Sequence, residues 1–207
     1  ATCLRMSDVG YVSAAQENLD ISYNSIEAYW KALTPGLKET YGPYQRFKPI
    51  DGHYQQLNDA ILQIENEFYS NIRPKRTSSS NRRLIHALRE NGIEYLEVRC
   101  IDLDPFEAGG ISAEACYFID TFLLACAISK SPLDSPKERS SIDKNQKLVA
   151  KMGRDEQLRL SRDGRPCLLQ EYAKDVLDTC SAAAEILDNA NKTLAFSRSF
   201  KKRFAQT

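Results

Sequence analysis

The feature that most limits how this chain can fold is the stretch from residue 168 to about 190. There Leu169, Tyr172, Ala173, Val176, Leu177 and Cys180 open a run of apolar residues at three- and four-residue steps that continues to Leu187. That period gathers apolar side chains on one stripe of a helix and on neither face of a strand. A long amphipathic helix must bury its stripe against other elements. A chain of 207 residues has room for that packing and for a separate sheet region.

Upstream the period changes. Residues 93–106 read IEYLEVRCIDLDPF, in which Leu96, Val98 and Cys100 alternate with Tyr95, Glu97 and Arg99. Asn91-Gly92 marks a turn before this strand and Pro105 closes it. The first face suits a core, and the second sets a carboxylate beside a guanidinium. Periodicity alone allows either a half-solvated strand or a strand facing a cavity. Residues 1–6 (ATCLRM) are also expected to be strand-like, with Cys3 and Arg5 on one face, leading into a turn at Ser7-Asp8-Val9-Gly10-Tyr11. Residues 53–72 read as two extended pieces meeting near Asn58-Asp59, the second placing Leu62, Ile64, Asn66 and Phe68 opposite Gln63, Glu65, Glu67 and Tyr69.

Between these pieces lie helices with capping signals. Ser25 is expected to open one containing Tyr29, Trp30 and Leu33, and Asn81 one that runs to about Arg89. Ser112 is expected to open a helix to about residue 128, apolar on most sides and so buried. Another, with Ile142, Leu148 and Val149, ends at Gly153, and residues 154–166 are charged and irregular. The basic run Ile72-Arg73-Pro74-Lys75-Arg76 leads into a Ser-rich loop and reads as solvated surface, with a polyphosphate contact as the alternative. His53 and His86 have no metal or catalytic partner at a recognisable spacing.

Lys plus Arg and Asp plus Glu both number 28, so no bulk field points to nucleic acid or a membrane surface. No apolar run approaches the roughly 20 residues that span a bilayer. The six cysteines show no C-x-x-C pairing, which suits reduced thiols in a cytoplasmic protein. A chain that begins at Ala1 and stops on a basic helical run is expected to be cut from a longer one.

If the three extended pieces paired in one antiparallel sheet, their polar faces would line one surface. Carboxylates there would hold a hard cation such as Mg²⁺ together with substrate phosphates, and the arginines would neutralise phosphoryl or carboxylate charge. The chain has no P-loop, no G-x-G-x-x-G after a strand and no G-x-S-x-G elbow.

The runs LRMSDVGY, YGPYQRFKPIDGHYQQLND, LQIENEFYSNIRPKR and GIEYLEVRCIDLDPF resemble the bacterial glutamate–cysteine ligase family of the proteobacterial type, over about residues 1–153. The resemblance implies an α+β, glutamine-synthetase-like fold: a mainly antiparallel curved sheet with flanking helices (residues 1–130), then a helical C-terminal part (131–207). It implies ATP and Mg²⁺ as cofactors, L-glutamate and L-cysteine as substrates, and a γ-glutamyl phosphate intermediate. By matching positions it implies that Arg5 pairs with the cysteine carboxylate and that Tyr11 and Tyr69 line the cysteine pocket. It further makes Glu97 a Mg²⁺ ligand and Arg99 the catalytic charge clamp. Glu65, Glu67, Arg73, Lys75 and Arg76 lie in a matching motif as nucleotide, phosphate or metal candidates, without individual roles. Family members are more than twice this length, so the segment is expected to be inactive by itself. Two alternatives stay open: a ligase of the same superfamily with another amine acceptor, and a non-catalytic binding protein derived from half of such an enzyme.

Overall fold

The predicted helices form where their caps place them. Ser25 accepts the Ala28 N–H at 3.0 Å and opens α1 (Ile26–Gly36). Ser112 does the same for Ala115 at 3.2 Å and opens α3 (Ala113–Ile128), with α2 (Leu84–Asn91) before it. Then come α4 (Pro136–Met152), α5 (Leu169–Asn191) and α6 (Ala195–Phe204). This structure is a computed structural model that describes residues 2–77 and 84–204. The expected Asn81 cap and the Ser-rich loop past Thr77 lie outside the described residues.

Four strands make two antiparallel two-stranded sheets. In the first, β1 (Ile72–Lys75) pairs with β2 (Tyr95–Val98), Arg73 standing opposite Glu97. In the second, β3 (Arg159–Arg162) pairs with β4 (Arg165–Leu168). Helices and antiparallel sheets together give the expected α+β class, with the C-terminal part mainly helical.

The chain divides into two compact units that interleave along the sequence, and neither is the 1–130 or the 131–207 stretch. One comprises Asp8–Ile101 and Asp134–Arg139. Its core gathers Ile21, Tyr29, Leu33, Leu62, Phe68 and Ile85 from the segment before α1, from α1 and α2, and from the loop before β1. The other comprises Ala1–Ser7, Asp102–Leu133 and Ser140–Thr207, and packs α3, α5 and α6 around Leu177, Cys180, Ala183, Ala184, Phe196 and Phe200. Asp188 joins α5 to α6: its carboxylate accepts the N–H groups of Phe196 and Ser197, each at 3.0 Å. Among the described residues no helix is long and apolar enough to cross a membrane.

Several expectations are corrected. Residues 2–6 are not a strand but run into a turn in which the Ser7 N–H reaches the Leu4 carbonyl. The cause is Asp102, whose carboxylate accepts the N–H groups of Leu4 and Arg5 at 2.7 Å each and the Cys3 thiol at 3.3 Å. Residues 53–71 form no strand pair either. Ile64 is 42% exposed, which breaks the apolar alternation, and residues Glu65–Glu67 coil into a 3₁₀ turn whose Glu67 carboxylate accepts the Gln63 N–H at 2.6 Å. Local side-chain bonds of this kind compete with a ladder.

The basic run at 72–76, expected as solvated surface, is instead largely β1, with Arg73 and Pro74 buried. Residues 159–168, read as irregular up to Pro166, form the β3–β4 hairpin. Its turn residues Asp163 and Gly164 both have positive φ (52° and 77°), the requirement of a tight two-residue hairpin turn. The α4 residue Asn145 docks that hairpin, donating to the Ser161 carbonyl at 2.7 Å and accepting its N–H at 2.9 Å. On β2, Leu96 is 45% exposed rather than in a core. α3 is less buried than its composition suggests, with only Thr121 and Ala125 fully covered.

The Asp102 clip gives stability a pH dependence of definite sign. The Arg5 and Leu4 N–H groups hold its carboxyl below the ordinary range. Its contribution is therefore complete above about pH 4, where the unfolded carboxyl is ionised, and is lost as pH falls through the lower folded value. Asp102→Asn should lower the urea midpoint near neutral pH, with the gap to the parent chain closing in acid. A gap that stays constant with pH would show that the carboxylate does not hold this turn.

Candidate active site

The polar face of the β1–β2 ribbon brings four charged residues together. Arg73 and Glu97 are cross-strand partners, and both Nε and a terminal nitrogen of Arg73 donate to Glu97 Oε2, at 3.2 and 3.0 Å. Lys75 Nζ lies 3.7 Å from the same oxygen, and Arg99 Nε lies 3.6 Å from Oε1. Three cations surround one carboxylate. Burial pushes the Glu97 carboxyl up, but the Arg73 hydrogen bonds and the charges of Arg73, Arg99 and Lys75 outweigh it and hold the group below its usual range. Burial lowers the Lys75 ammonium, helped by the Arg73 charge and only partly offset by Glu97.

Arg73 is only 7% exposed and reaches beyond Glu97. Its other terminal nitrogen donates to the Asn66 and Phe68 carbonyls at 2.7 and 3.0 Å. Lys75 Nζ adds a bond to Asn66 Oδ1 at 2.9 Å. The strand thus pins the loop that carries Tyr69. Tyr69 in turn lies under the Arg99 guanidinium, 5.5 Å from its ring centre, and against Tyr11, with ring centres 4.7 Å apart. Cation, aromatic pair and carboxylate form one surface within this unit.

Of the sequence candidates, Tyr11, Tyr69, Arg73, Lys75, Glu97 and Arg99 meet here. Arg76 does not share their work: its guanidinium caps α2, donating to the carbonyls of Gly92 and Asn91 at 2.6 and 2.5 Å. Glu65 and Glu67 sit in the 3₁₀ turn, not on a strand face beside Tyr69. Arg5 belongs to the other unit, in the turn held by Asp102. Two residues that shape the candidates were not singled out from sequence, Asp102 and Gln16. Asp102 stands within the IDLDPF run, whereas nothing in YVSAAQ marks Gln16, which bonds the backbone of Glu67 and Tyr69.

The buried guanidinium makes a sharp test. Arg73→Met leaves Glu97 and two loop carbonyls without their donor, and should cost about 3 kcal/mol, the scale of breaking a buried pair from one side. A urea midpoint close to that of the parent chain would show that the loop is held by other contacts.

Comparison with known proteins identifies the family. The glutamate–cysteine ligase family profile matches residues 1–149. The glutamate–cysteine ligase of Pseudomonas putida (strain W619) is 45% identical over 191 residues, 92% of this chain and 36% of its own length. That of Pseudomonas fluorescens (strain Pf0-1) is 42% identical over 207 residues, 100% of this chain and 39% of its own. The crystal structure of the Francisella tularensis glutamate–cysteine ligase in complex with AMP superposes with a TM-score of 0.84 at 38% identity, covering 96% of this chain and 40% of that one. A bifunctional glutathione synthetase from Pasteurella multocida shares the fold at 22% identity, with a TM-score of 0.59 over 98% of this chain and 21% of that one. The glutamine-synthetase-like class expected from sequence agrees with these neighbours, and the chain spans well under half the length of the relatives it matches. By profile and by identity, this chain belongs to the glutamate–cysteine ligase family.

Proposed function

We propose that this segment forms one wall of the active site of an ATP-dependent ligase that joins the γ-carboxylate of L-glutamate to the amine of L-cysteine, the first step of glutathione biosynthesis. The observation that carries this reading is the gathering of three cations around Glu97, set against a tilted pair of tyrosines. Such a surface suits the anions of the reaction: a transferring phosphoryl group, a carboxylate and the released phosphate. The AMP held by the Francisella tularensis relative supports ATP as the nucleotide.

The chemistry proceeds in two displacements. The glutamate γ-carboxylate attacks the terminal phosphorus of ATP and ADP leaves. The cysteine amine then attacks the acyl carbon, phosphate departs and the amine gives up its proton. Charge builds first on the phosphoryl oxygens and then on the tetrahedral oxygen. Arg99 meets that charge, a role supported by its contacts with Glu97 and the Tyr69 ring, which limit its reorganisation. Tyr69 and Tyr11 line the pocket for cysteine. Arg73, Arg76 and Glu67 serve as scaffold, by the bonds they already make.

Among the described residues no three His, Cys, Asp or Glu side chains cluster as a metal site. Glu97 would offer Mg²⁺ one oxygen, Oε1, since Oε2 is committed to Arg73. When bound, Mg²⁺ would supply neutralisation of phosphate charge. A segment with one such carboxylate is not expected to turn over by itself. Reduced cysteines and a biosynthetic reaction suit the cytoplasm.

The test uses a complete ligase polypeptide carrying this segment, assayed with glutamate, ATP and cysteine, glycine or ethanolamine as acceptor. Product should form with cysteine, and Arg99→Ala should lower kcat about 100- to 1,000-fold, the scale of losing an oxyanion donor. Turnover near that of the parent enzyme would remove Arg99 from the mechanism, and preference for another amine would reassign the substrate.

A further inference from the structure

Tyr69 follows a 3₁₀ turn rather than standing on a strand, so its placement needs a device other than a ladder. Gln16 supplies one. It ends a 3₁₀ turn (Ala14–Gln16) more than fifty residues away in sequence. Its Oε1 accepts the Tyr69 N–H at 2.9 Å, and its Nε2 donates to the Glu67 carbonyl at 2.8 Å. One amide side chain thus satisfies a donor and an acceptor two residues apart, as a neighbouring strand would. On the other side, Arg73 holds the Asn66 and Phe68 carbonyls. The loop is gripped alternately, residue by residue, from two directions. The segment that carries Gln16 also carries Tyr11, the ring partner of Tyr69.

We propose that Gln16 is a positioning residue for the cysteine pocket: by clamping the backbone from Glu67 to Tyr69, it fixes the Tyr69 ring between Tyr11 and Arg99. This inference rests on the ligase reading above, in which Tyr69 lines that pocket. The chemistry of the clamp is specific. Leucine can make neither bond. Glutamate keeps the acceptor for the Tyr69 N–H and replaces the donor to Glu67 with a second oxygen that must turn away from that carbonyl.

The experiment uses a complete ligase polypeptide carrying this segment, with two readouts: hydrogen exchange at the Tyr69 amide and steady-state kinetics with each substrate. Gln16→Leu should speed Tyr69 exchange and raise KM for cysteine about tenfold, while KM for glutamate and ATP stays within about twofold, the scale of one or two lost hydrogen bonds. In a Tyr69→Ala background the same substitution should add nothing further to KM for cysteine, because the clamp acts only through Tyr69. Gln16→Glu should keep Tyr69 protected and remain closer to the parent enzyme than Gln16→Leu. It also serves as the readable variant should the leucine substitution fail to fold. Unchanged exchange at Tyr69, an additive effect in the double variant, or Gln16→Glu as damaging as Gln16→Leu would each overturn the clamp. Tyr69→Ala without effect on KM for cysteine, but with the exchange result as expected, would instead place the failure in the pocket role of Tyr69, and the proposal falls with it.

Discussion

A buried guanidinium governs this structure. Removing Arg73 from water is costly unless its donors are taken up, and the fold takes them up by placing Glu97 directly across the ribbon and two loop carbonyls within reach. Each of those partners is then fixed in turn. Glu97 is held in register on β2, and the loop from Asn66 to Phe68 is fastened to β1. Phe68, on that loop, packs into the core beside Tyr29, with ring centres 6.4 Å apart. The charged surface and the hydrophobic interior of this unit are therefore not independent. They share one residue pair.

That coupling explains why a strongly charged face can be orderly. Glu97 alone among three cations would be a weak organiser if it were fully solvated, since exposed ion pairs contribute little. Here the Arg73 side is buried and hydrogen-bonded with directional geometry, and Lys75 and Arg99 gather around an anion whose place is already set. Arg99 gains a second contact from the face of Tyr69. The result is a charged surface whose shape is set by the protein's own contacts.

Much of this could be read from the chain, and the limits have physical causes. The helices were legible because period and caps agree, as at Ser25, Ser112 and along α5. β2 was legible from alternation, and Glu97 and Arg99 from its polar face. What misled were stretches where a local side chain diverts the backbone. Glu67 closes the turn at 65–67 on Gln63, and Asp102, almost a hundred residues away, captures the amides of Leu4 and Arg5. Alternating apolar residues report what a strand would do with its faces, not whether its N–H groups are already engaged. The β3–β4 hairpin was a different failure, since Asp163-Gly164 is a turn signal that charged neighbours obscured. Arg73 looked solvated because nothing in IRPKR announces that its partner lies on another strand.

Pro74 carries a consequence of its own. The Arg99 N–H reaches the Asn71 carbonyl, so the inward-facing amides of this ribbon fall on odd-numbered residues of β1 and those of the even ones turn outward. At Pro74 the outward position has no hydrogen to offer. A foreign strand drawing up along β1 would meet a gap in the middle of its docking row. On the β1 side this imino acid makes the ribbon a poor template for a further strand.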